Sequence, residues 1–389
     1  RWNMFDHSTW QPALGVLVTP AYWFTDEPEL LVRWGLAINA VLLGLAAAVT
    51  VVLARRIGGW STRTAALIAI AVALTPGALS GAGYLWAEPL VALAFVFVTL
   101  ATLRTLDGAD PRWAYAAAGA AALGYFAHGR LLPFAFTTIV TLVAITLWQR
   151  RPRVAALATV CGLGSVALVR LATWFVHTNV WDDPGAVNTA TSVLERLTHP
   201  LEVADHLVGQ LWYLLVVTLG VGAIGTVVVL RRLVTGAGQR PTGADDPVPR
   251  ALDRGTAAVL AALTAPQIAV SAAFLAGRPR ADQLVYGRYN EAVFWPILIV
   301  GVAWLHGLVR SGWSRQRAID LGIVAATIVG IAIVVDVRHG DVLDGDIGLR
   351  SMVPGILPFV GRTDAVPVVR ITITVLVVLA AAVLAATWL

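Results

Sequence analysis

Long apolar runs separated by short polar turns recur along almost the whole chain. A run of about 20 apolar residues is long enough to cross the hydrocarbon core of a bilayer as a helix. The runs lack the strict alternation of barrel strands, and backbone groups in lipid need partners within their own segment. The pattern therefore predicts an all-α, polytopic transmembrane bundle in which residues 1–389 form a single integral membrane domain. Eleven spans are expected, at 33–54, 64–82, 88–104, 113–127, 131–148, 154–175, 207–230, 256–276, 292–309, 318–335 and 368–388.

Composition agrees with a membrane protein and excludes a soluble globular domain. Hydrophobic residues make up 58% of the chain and charged residues only 13%, far from the usual balance of soluble domains. The formal net charge of +5 does not indicate nucleic-acid binding, because the basic residues follow the membrane topology.

The arginines orient the predicted spans. Sixteen arginines fall on one set of alternate loops, which carry only six acidic residues, and the opposite loops hold the other seventeen acids. Basic residues near span ends concentrate on the cytoplasmic side. We therefore expect a multi-pass cell-membrane protein whose acidic face is extracytoplasmic.

This orientation assigns the longer loops. Residues 1–33 form the end of a first outer loop, 176–206 and 337–366 are outer loops, and 231–254 is a flexible cytoplasmic loop rich in Gly, Pro and Asp. Since the chain begins in an outer loop, we expect it to be a fragment that lacks a preceding N-terminal helix.

The first candidate site lies in GYFAHGRLLPF, where His128 and Arg130 occupy an outer turn between two spans. Arginines near span ends are expected on the cytoplasmic side, so an arginine on the outer face needs another explanation. It either snorkels to lipid phosphates or binds an anion at the outer surface.

Other outer turns carry charge as well. Glu88 opens a span after GYLWA, and Arg288, Tyr289 and Glu291 open another within YGRYNEAVFWP. Acidic groups at helix N-termini are favourable through the dipole alone. Alternatively, the carboxylates handle a proton or a divalent cation while the guanidinium groups hold a phosphate. The metal requirement stays open, because the loop histidines fit no specific ligand spacing.

Several of these segments resemble the GT-C superfamily of polytopic glycosyltransferases that use polyprenyl-phosphate sugars, including protein-mannosyltransferase-like and aminoarabinose-transferase-like enzymes. The resemblance runs over about 6–305. Its motifs are short: the Pro-containing end of the first outer loop (DHSTWQPALGVLVTPAYWF), LAINA at 36–40 followed by the arginines at 55–56, Glu88–Pro89, Arg130, and the GRY element at 287–289.

The resemblance implies a function. Such an enzyme transfers a sugar with inversion from a polyprenyl-phosphate donor to a glycan, lipid or protein acceptor at the outer face. Asp6 and Glu88 are then the catalytic candidates, and Tyr289 and Glu291 would contact the substrate. The family's base is an aspartate early in the first outer loop, for which Asp6 is the nearest match. No cofactor is implied beyond a divalent cation as an alternative.

The same resemblance assigns the donor phosphate to Arg130 and Arg288, with His128 beside them. As this lipid-linked donor stays in the bilayer, the lipid bilayer is itself an expected partner, and nucleic acid is not.

Two other functions remain open on the residues alone. A transporter or flippase of lipid-linked saccharide places polar groups in broken helices near mid-membrane, whereas the spans here read as mostly uninterrupted, with Arg170 and Gln267 as the main polar exceptions. A noncatalytic membrane scaffold would use the acidic loops to bind a partner protein. The charged residues gather on one outer face, which favours a reaction at the membrane surface over transport.

Overall fold

The computed structural model is a bundle of α-helices. It describes residues 11–179, 195–235, 252–278, 280–288, 290–345, 347, 350–360 and 365–388, and no strand occurs within these ranges. The helices are α1 Ala13–Val18, α2 Pro28–Gly58, α3 Thr62–Ala73, α4 Pro76–Gly83, α5 Glu88–Leu106, α6 Arg112–Ala127, α7 Leu132–Trp148, α8 Pro152–Asn179, α9 Pro200–Val217, α10 Val221–Thr235, α11 Arg254–Leu275, α12 Ala281–Leu284, α13 Asn290–Ser311, α14 Arg315–Leu343, α15 Leu357–Val360 and α16 Val368–Trp388.

The all-α polytopic bundle is confirmed, but the number of spans differs from the eleven predicted. Eight spans are long and apolar enough to cross a membrane unbroken within the described ranges, and two further helix pairs do so only as bent spans. The eleventh predicted span corresponds to α6, whose 16 residues fall short of the roughly 20 that a bilayer core requires.

The two bent spans correct the expectation of uninterrupted helices. The span of α3 and α4 is bent by 65°, and that of α9 and α10 is bent by 116°. Pro76 starts α4 and cannot continue the preceding helix. Leu219 and Gly220 both have positive φ between α9 and α10, which ends a right-handed helix. Apolar composition alone does not reveal such breaks, because both sides of each break are equally hydrophobic.

One end of the bundle gathers the arginine-rich loops. Arg56 on α2 pairs with Asp107 at 2.5 Å, and the Gln149 side chain donates to the carbonyl of Thr105 at 2.8 Å. Ser61 and Asp253 accept hydrogen bonds from backbone N–H groups at the first turns of α3 and α11, as N-cap residues do. We call this the arginine-rich end, and the opposite end of the bundle the acidic end.

Asp320 joins helices at the arginine-rich end. Its buried carboxylate accepts hydrogen bonds from Arg231 at 3.0 and 3.1 Å, from Trp304 Nε1 at 2.9 Å and from Gln316 Nε2 at 3.0 Å. Each oxygen therefore accepts two hydrogen bonds, with Arg231 Nη1 shared between them. Since a carboxylate has about four acceptor positions, this carboxylate is saturated by α10, α13 and α14.

Small residues allow α10 and α13 to cross at backbone contact. A Cβ added to Gly225 would overlap the carbonyl of Ile297, and one added to Gly301 would overlap that of Val221. Glycine is thus required at both positions, as at close helix crossings in membranes. The crossing holds α13, whose first turn carries part of the candidate site.

The predicted loop boundaries shift where helices extend into them. Helix α2 begins at Pro28, α8 continues to Asn179, α10 continues to Thr235 and α14 continues to Leu343. In the last predicted outer loop, the described residues 350–360 form short helical turns that pack at the acidic end.

Candidate functional site

A buried ion pair lies at the acidic end, where α5 begins and α13 is about to begin. Arg288 Nε donates to Glu88 Oε1. Glu88 is only 4% exposed and Arg288 only 6%, so water screens this pair very little. Glu88 is the first residue of α5 and Pro89 is the second. Acidic residues and proline are both favoured in the first turn of a helix.

Trp86 covers the other side of the arginine. The Arg288 guanidinium carbon lies 3.4 Å from the Trp86 ring centroid, a cation–π contact. The turn that holds Trp86 is fixed from α2, because Asn39 Nδ2 donates to the carbonyls of Tyr84 and Trp86 at 2.7 and 3.0 Å. This aromatic contact was not predicted, because a tryptophan at a span end is typical of an interfacial belt.

The backbone around Arg288 is tied to the segment 350–360. The N–H groups of Gly287 and Arg288 both point to the carbonyl of Met352, at 3.1 and 3.3 Å, and Met352 Sδ lies 3.8 Å from an Arg288 nitrogen. A side chain at Gly287 would overlap the Tyr213 ring. The position of Arg288 therefore depends on α9 and on this segment as well as on its own helix.

A small cavity adjoins the ion pair. Its walls include Glu88, Arg288, Gly77 and Trp295, and it has room for about one water molecule. Glu88 Oε2 is buried and accepts no hydrogen bond from the described residues. One oxygen of the carboxylate is thus committed to Arg288, while the other can accept a proton or a hydrogen bond.

Arg130 lies in a 3-10 turn, Gly129–Leu131, between α6 and α7. Its guanidinium carbon stacks 3.8 Å from the centroid of Phe274 and lies 5.4 Å from that of Tyr286. Gln267 donates to the Arg130 carbonyl at 3.2 Å. These contacts place Arg130 against protein aromatic rings, a different environment from a side chain that reaches out to lipid.

His128 caps this turn in its neutral form. Its Nδ1 accepts a hydrogen bond from the Arg130 backbone N–H at 3.2 Å, which requires Nδ1 to be unprotonated. Burial, followed by the charges of Arg130 and Arg288, lowers the pKa of His128 well below its usual value. His128, Arg130 and Arg288 therefore share one positive environment.

Two more arginines approach the same Phe274 ring. Arg278 lies 5.4 Å and Arg196 5.7 Å from the ring centroid, and Arg196 also donates to the Phe274 carbonyl at the end of α11. Burial and the like charges of Arg196, Arg130 and Arg280 lower the pKa of Arg278. We call the cluster of Phe274, Arg130, Arg196 and Arg278 the Phe274 rim.

Glu291 lies in a separate network. Its carboxylate accepts hydrogen bonds from the Gly77 N–H at 2.7 Å and from the Tyr213 hydroxyl at 2.5 Å, and that hydroxyl accepts one from the Gly355 N–H at 3.0 Å. Gly77 is in the first turn of α4, so the carboxylate also caps that helix. Buried Glu291 thus joins α4, α9, α13 and the segment 350–360.

The structure brings together only some of the predicted site residues. Glu88 and Arg288 are in contact, and Arg130 lies close enough for its charge to act on both Glu88 and His128. Glu291 has its own partners, and its carboxylate is held by protein groups. Asp6 and Tyr289 lie outside the described residues.

Sequence reasoning missed several residues that complete the site. Trp86, Tyr213 and Phe274 lie inside or beside apolar runs, where their pattern does not differ from that of core residues. Gly77, in a Pro-Gly pair inside a span, was the clearest available signal of a break.

Within the described ranges, no group of three or more His, Cys, Asp or Glu side chains could hold a metal ion. No family model, curated protein or solved structure matches the chain.

Proposed function

We propose that the protein is a membrane glycosyltransferase that moves a sugar from a polyprenyl-phosphate donor to an acceptor hydroxyl, with inversion. The observation that carries this proposal is the buried Glu88–Arg288 pair beside a small cavity, in which the second carboxylate oxygen accepts no hydrogen bond from the described residues. A base and a phosphate-binding cation side by side are what this reaction needs.

The proposed step uses the groups of this site. Glu88 Oε2 takes the proton of the acceptor hydroxyl, and the hydroxyl oxygen attacks the anomeric carbon from the face opposite the phosphate. The bond from the anomeric carbon to the phosphate oxygen breaks, and the electron pair leaves with the polyprenyl phosphate. Arg288 can contact the carboxylate and the phosphate through different N–H groups of one guanidinium, and Arg130 adds positive charge where negative charge grows.

The proposal places this chemistry at the extracytoplasmic face of the cell membrane, because the arginine-rich end is expected to be cytoplasmic. Cysteines introduced at Arg151 and Glu202 in a Cys161→Ala background would test the orientation. A membrane-impermeant thiol reagent applied to intact cells should label position 202 and spare position 151. The reverse pattern would overturn the assignment.

Transfer itself is tested with the full chain in lipid nanodiscs. Polyprenyl-phosphate hexose and pentose donors are supplied with a hydroxyl acceptor, and released polyprenyl phosphate is measured. Glu88→Gln should remove the activity, and Glu29→Gln, in an exposed pair with Arg33 at 2.7 Å, should keep it. Full activity of Glu88→Gln would refute the proposed base.

A second candidate function, transport of a lipid-linked saccharide, is favoured by the two bent spans. The breaks meet at one place: a small cavity is lined by Thr75 from the first break, Thr218 from the second, and Glu291. Transporters place ionisable groups at such helix breaks.

The two candidates make different predictions for Glu291. If the protein transports, Glu291→Gln should abolish movement of a fluorescent polyprenyl-phosphate sugar across liposomes, and Glu88→Gln should leave it largely intact. If it is a transferase, movement should be absent in the wild type and transfer should depend on Glu88.

A further inference from the structure

Three guanidinium groups surround a single aromatic ring in the Phe274 rim. Their carbons lie 3.8 Å (Arg130), 5.4 Å (Arg278) and 5.7 Å (Arg196) from the centroid of Phe274. The three arginines come from distant parts of the chain: the turn between α6 and α7, the segment before α9 and the segment after α11. The fold therefore assembles this cluster, which adjacency in sequence does not provide.

Among the described residues, no ion pair involves Arg196 or Arg278 of this cluster. Arg280, the next arginine along, is held by Asp282 through two hydrogen bonds of 2.9 and 2.6 Å. Arg278 forms no ion pair with any described residue, although Glu202 approaches the neighbouring Gly277. Like charges at this spacing in a half-buried position repel one another, and a bound anion relieves that repulsion.

The helix that carries Phe274 supplies a second, independent indication. Gln267 and Ser271 precede Phe274 at spacings that place all three on one helix face. Gln267 is 2% exposed and Ser271 is 0% exposed, and Gln267 Oε1 and Ser271 Oγ have no hydrogen-bond partner among the described groups. Buried polar atoms without partners are rare, and these two lie along the face that leads to the rim.

We propose that the Phe274 rim binds a phosphate ester group, with Arg196 and Arg278 as direct ligands beside Arg130. Phosphate offers several oxygens to guanidinium N–H groups from different directions. Arg196 commits one of its five donors to the Phe274 carbonyl, and the Arg278 donors have no acceptor in the described chain. Arg288 differs from them, because one of its N–H groups already donates to Glu88.

This assignment extends the proposed function to further residues. It rests on that function only where it identifies the bound phosphate as that of the donor lipid. Two sources share the required chemistry: the phosphate of a polyprenyl-phosphate lipid and that of a bulk anionic phospholipid. Inorganic phosphate is a third probe, which tests whether a lipid tail is needed.

The experiment measures binding without turnover. The full chain in phosphatidylcholine nanodiscs is titrated with polyprenyl phosphate, with phosphatidylglycerol or with inorganic phosphate, and the melting temperature is followed. The variants are Arg278→Gln, Arg278→Lys and Arg196→Gln, with Arg33→Gln as a matched control. Arg33 lies in an exposed pair at the start of α2. If Arg196→Gln fails to fold because it loses its contact with the end of α11, Arg278→Gln still tests the site.

The expected result is that polyprenyl phosphate raises the melting temperature of the wild type and of Arg33→Gln. Arg278→Gln should bind at least about tenfold more weakly, and Arg278→Lys should fall between them. An equal effect with phosphatidylglycerol would assign the rim to phospholipid, and an effect with inorganic phosphate would show that the phosphate alone suffices. Both results support a phosphate site.

Unchanged binding in both Arg278→Gln and Arg196→Gln, or no stabilisation by any of the three probes, would overturn the inference. Failure of the two proposals is distinguishable. Arginine-dependent binding without any sugar transfer would contradict only the transferase, whereas transfer with binding unaffected by Arg278→Gln would contradict only the rim assignment.

Discussion

Removing one partner of the Glu88–Arg288 pair should destabilise the protein strongly. Arg288→Gln leaves the Glu88 carboxylate buried at 4% exposure without the cation that contacts it. Breaking a buried pair on one side costs about 3–5 kcal/mol, because the remaining charge is no longer compensated. For a chain of 389 residues that corresponds to a fall in melting temperature of about 4–6 °C.

The double variant Glu88→Gln/Arg288→Gln should lose less stability than either single variant, since it leaves no buried charge behind. We would measure thermal unfolding in one detergent for the wild type, both single variants and the double variant, and calculate the coupling energy, which should be at least about 2 kcal/mol.

The exposed pair of Arg33 and Glu29, whose side chains are 69% and 78% exposed, is the control. Arg33→Gln should change stability by no more than about 0.5 kcal/mol. Additive losses in the double variant, or a loss below about 1 kcal/mol in Arg288→Gln, would refute the account of a desolvated and mutually dependent pair.

Three further predictions follow from neighbouring contacts. Arg130→Lys should reduce sugar transfer and Arg130→Gln should nearly abolish it, because lysine keeps the charge but loses the planar group that stacks on Phe274; a silent Arg130→Lys would instead favour snorkelling. Gly77→Ala should cost about 2–4 kcal/mol by displacing the Glu291 carboxylate that contacts it, and denaturant unfolding beside Gly44→Ala, where a Cβ meets nothing within 4 Å, checks this. Because the pKa of His128 is lowered in the fold, the unfolded chain binds its proton first as pH falls through about 6.5, so stability should decline on acidification; equal slopes of melting temperature against pH for wild type and His128→Asn would contradict it.

Hydropathy predicted the fold class because the apolar runs and the polar turns follow directly from the thickness of a bilayer. It failed at the two bends. The α9–α10 break has a positive φ at Leu219, a residue that continues the apolar run, so the hydropathy pattern does not mark it. The α3–α4 break coincides with Pro76–Gly77, which the sequence does show. The sequence could not show that the Gly77 N–H donates to Glu291, more than two hundred residues away.

The residues of the candidate site could be predicted where a charge interrupts an apolar chain, but not where an aromatic residue contacts that charge. We selected Glu88, Arg130 and Arg288 because a charged side chain at the end of a membrane span is costly and therefore suggests a specific role. Phe274 was not selected, since a phenylalanine near the end of an apolar helix is ordinary. Arg196 and Arg278 lie in loops where charges are expected, and only their convergence on one ring distinguishes them.

The buried carboxylates at the two ends of the bundle, Asp320 and Glu88, have the same charge but differ in how many of their acceptor positions are filled. With four hydrogen bonds from three donor atoms on its two oxygens, Asp320 can take up a proton or another ligand only by breaking one of these contacts between helices. Its role is to connect helices, and no acceptor position is left on it. Glu88, at the other end, keeps one oxygen without a donor in the described structure and can exchange partners while its arginine stays in place. The two acids carry the same charge, but every acceptor position of Asp320 is filled by helix contacts, whereas Glu88 has one oxygen that accepts no hydrogen bond from the described residues.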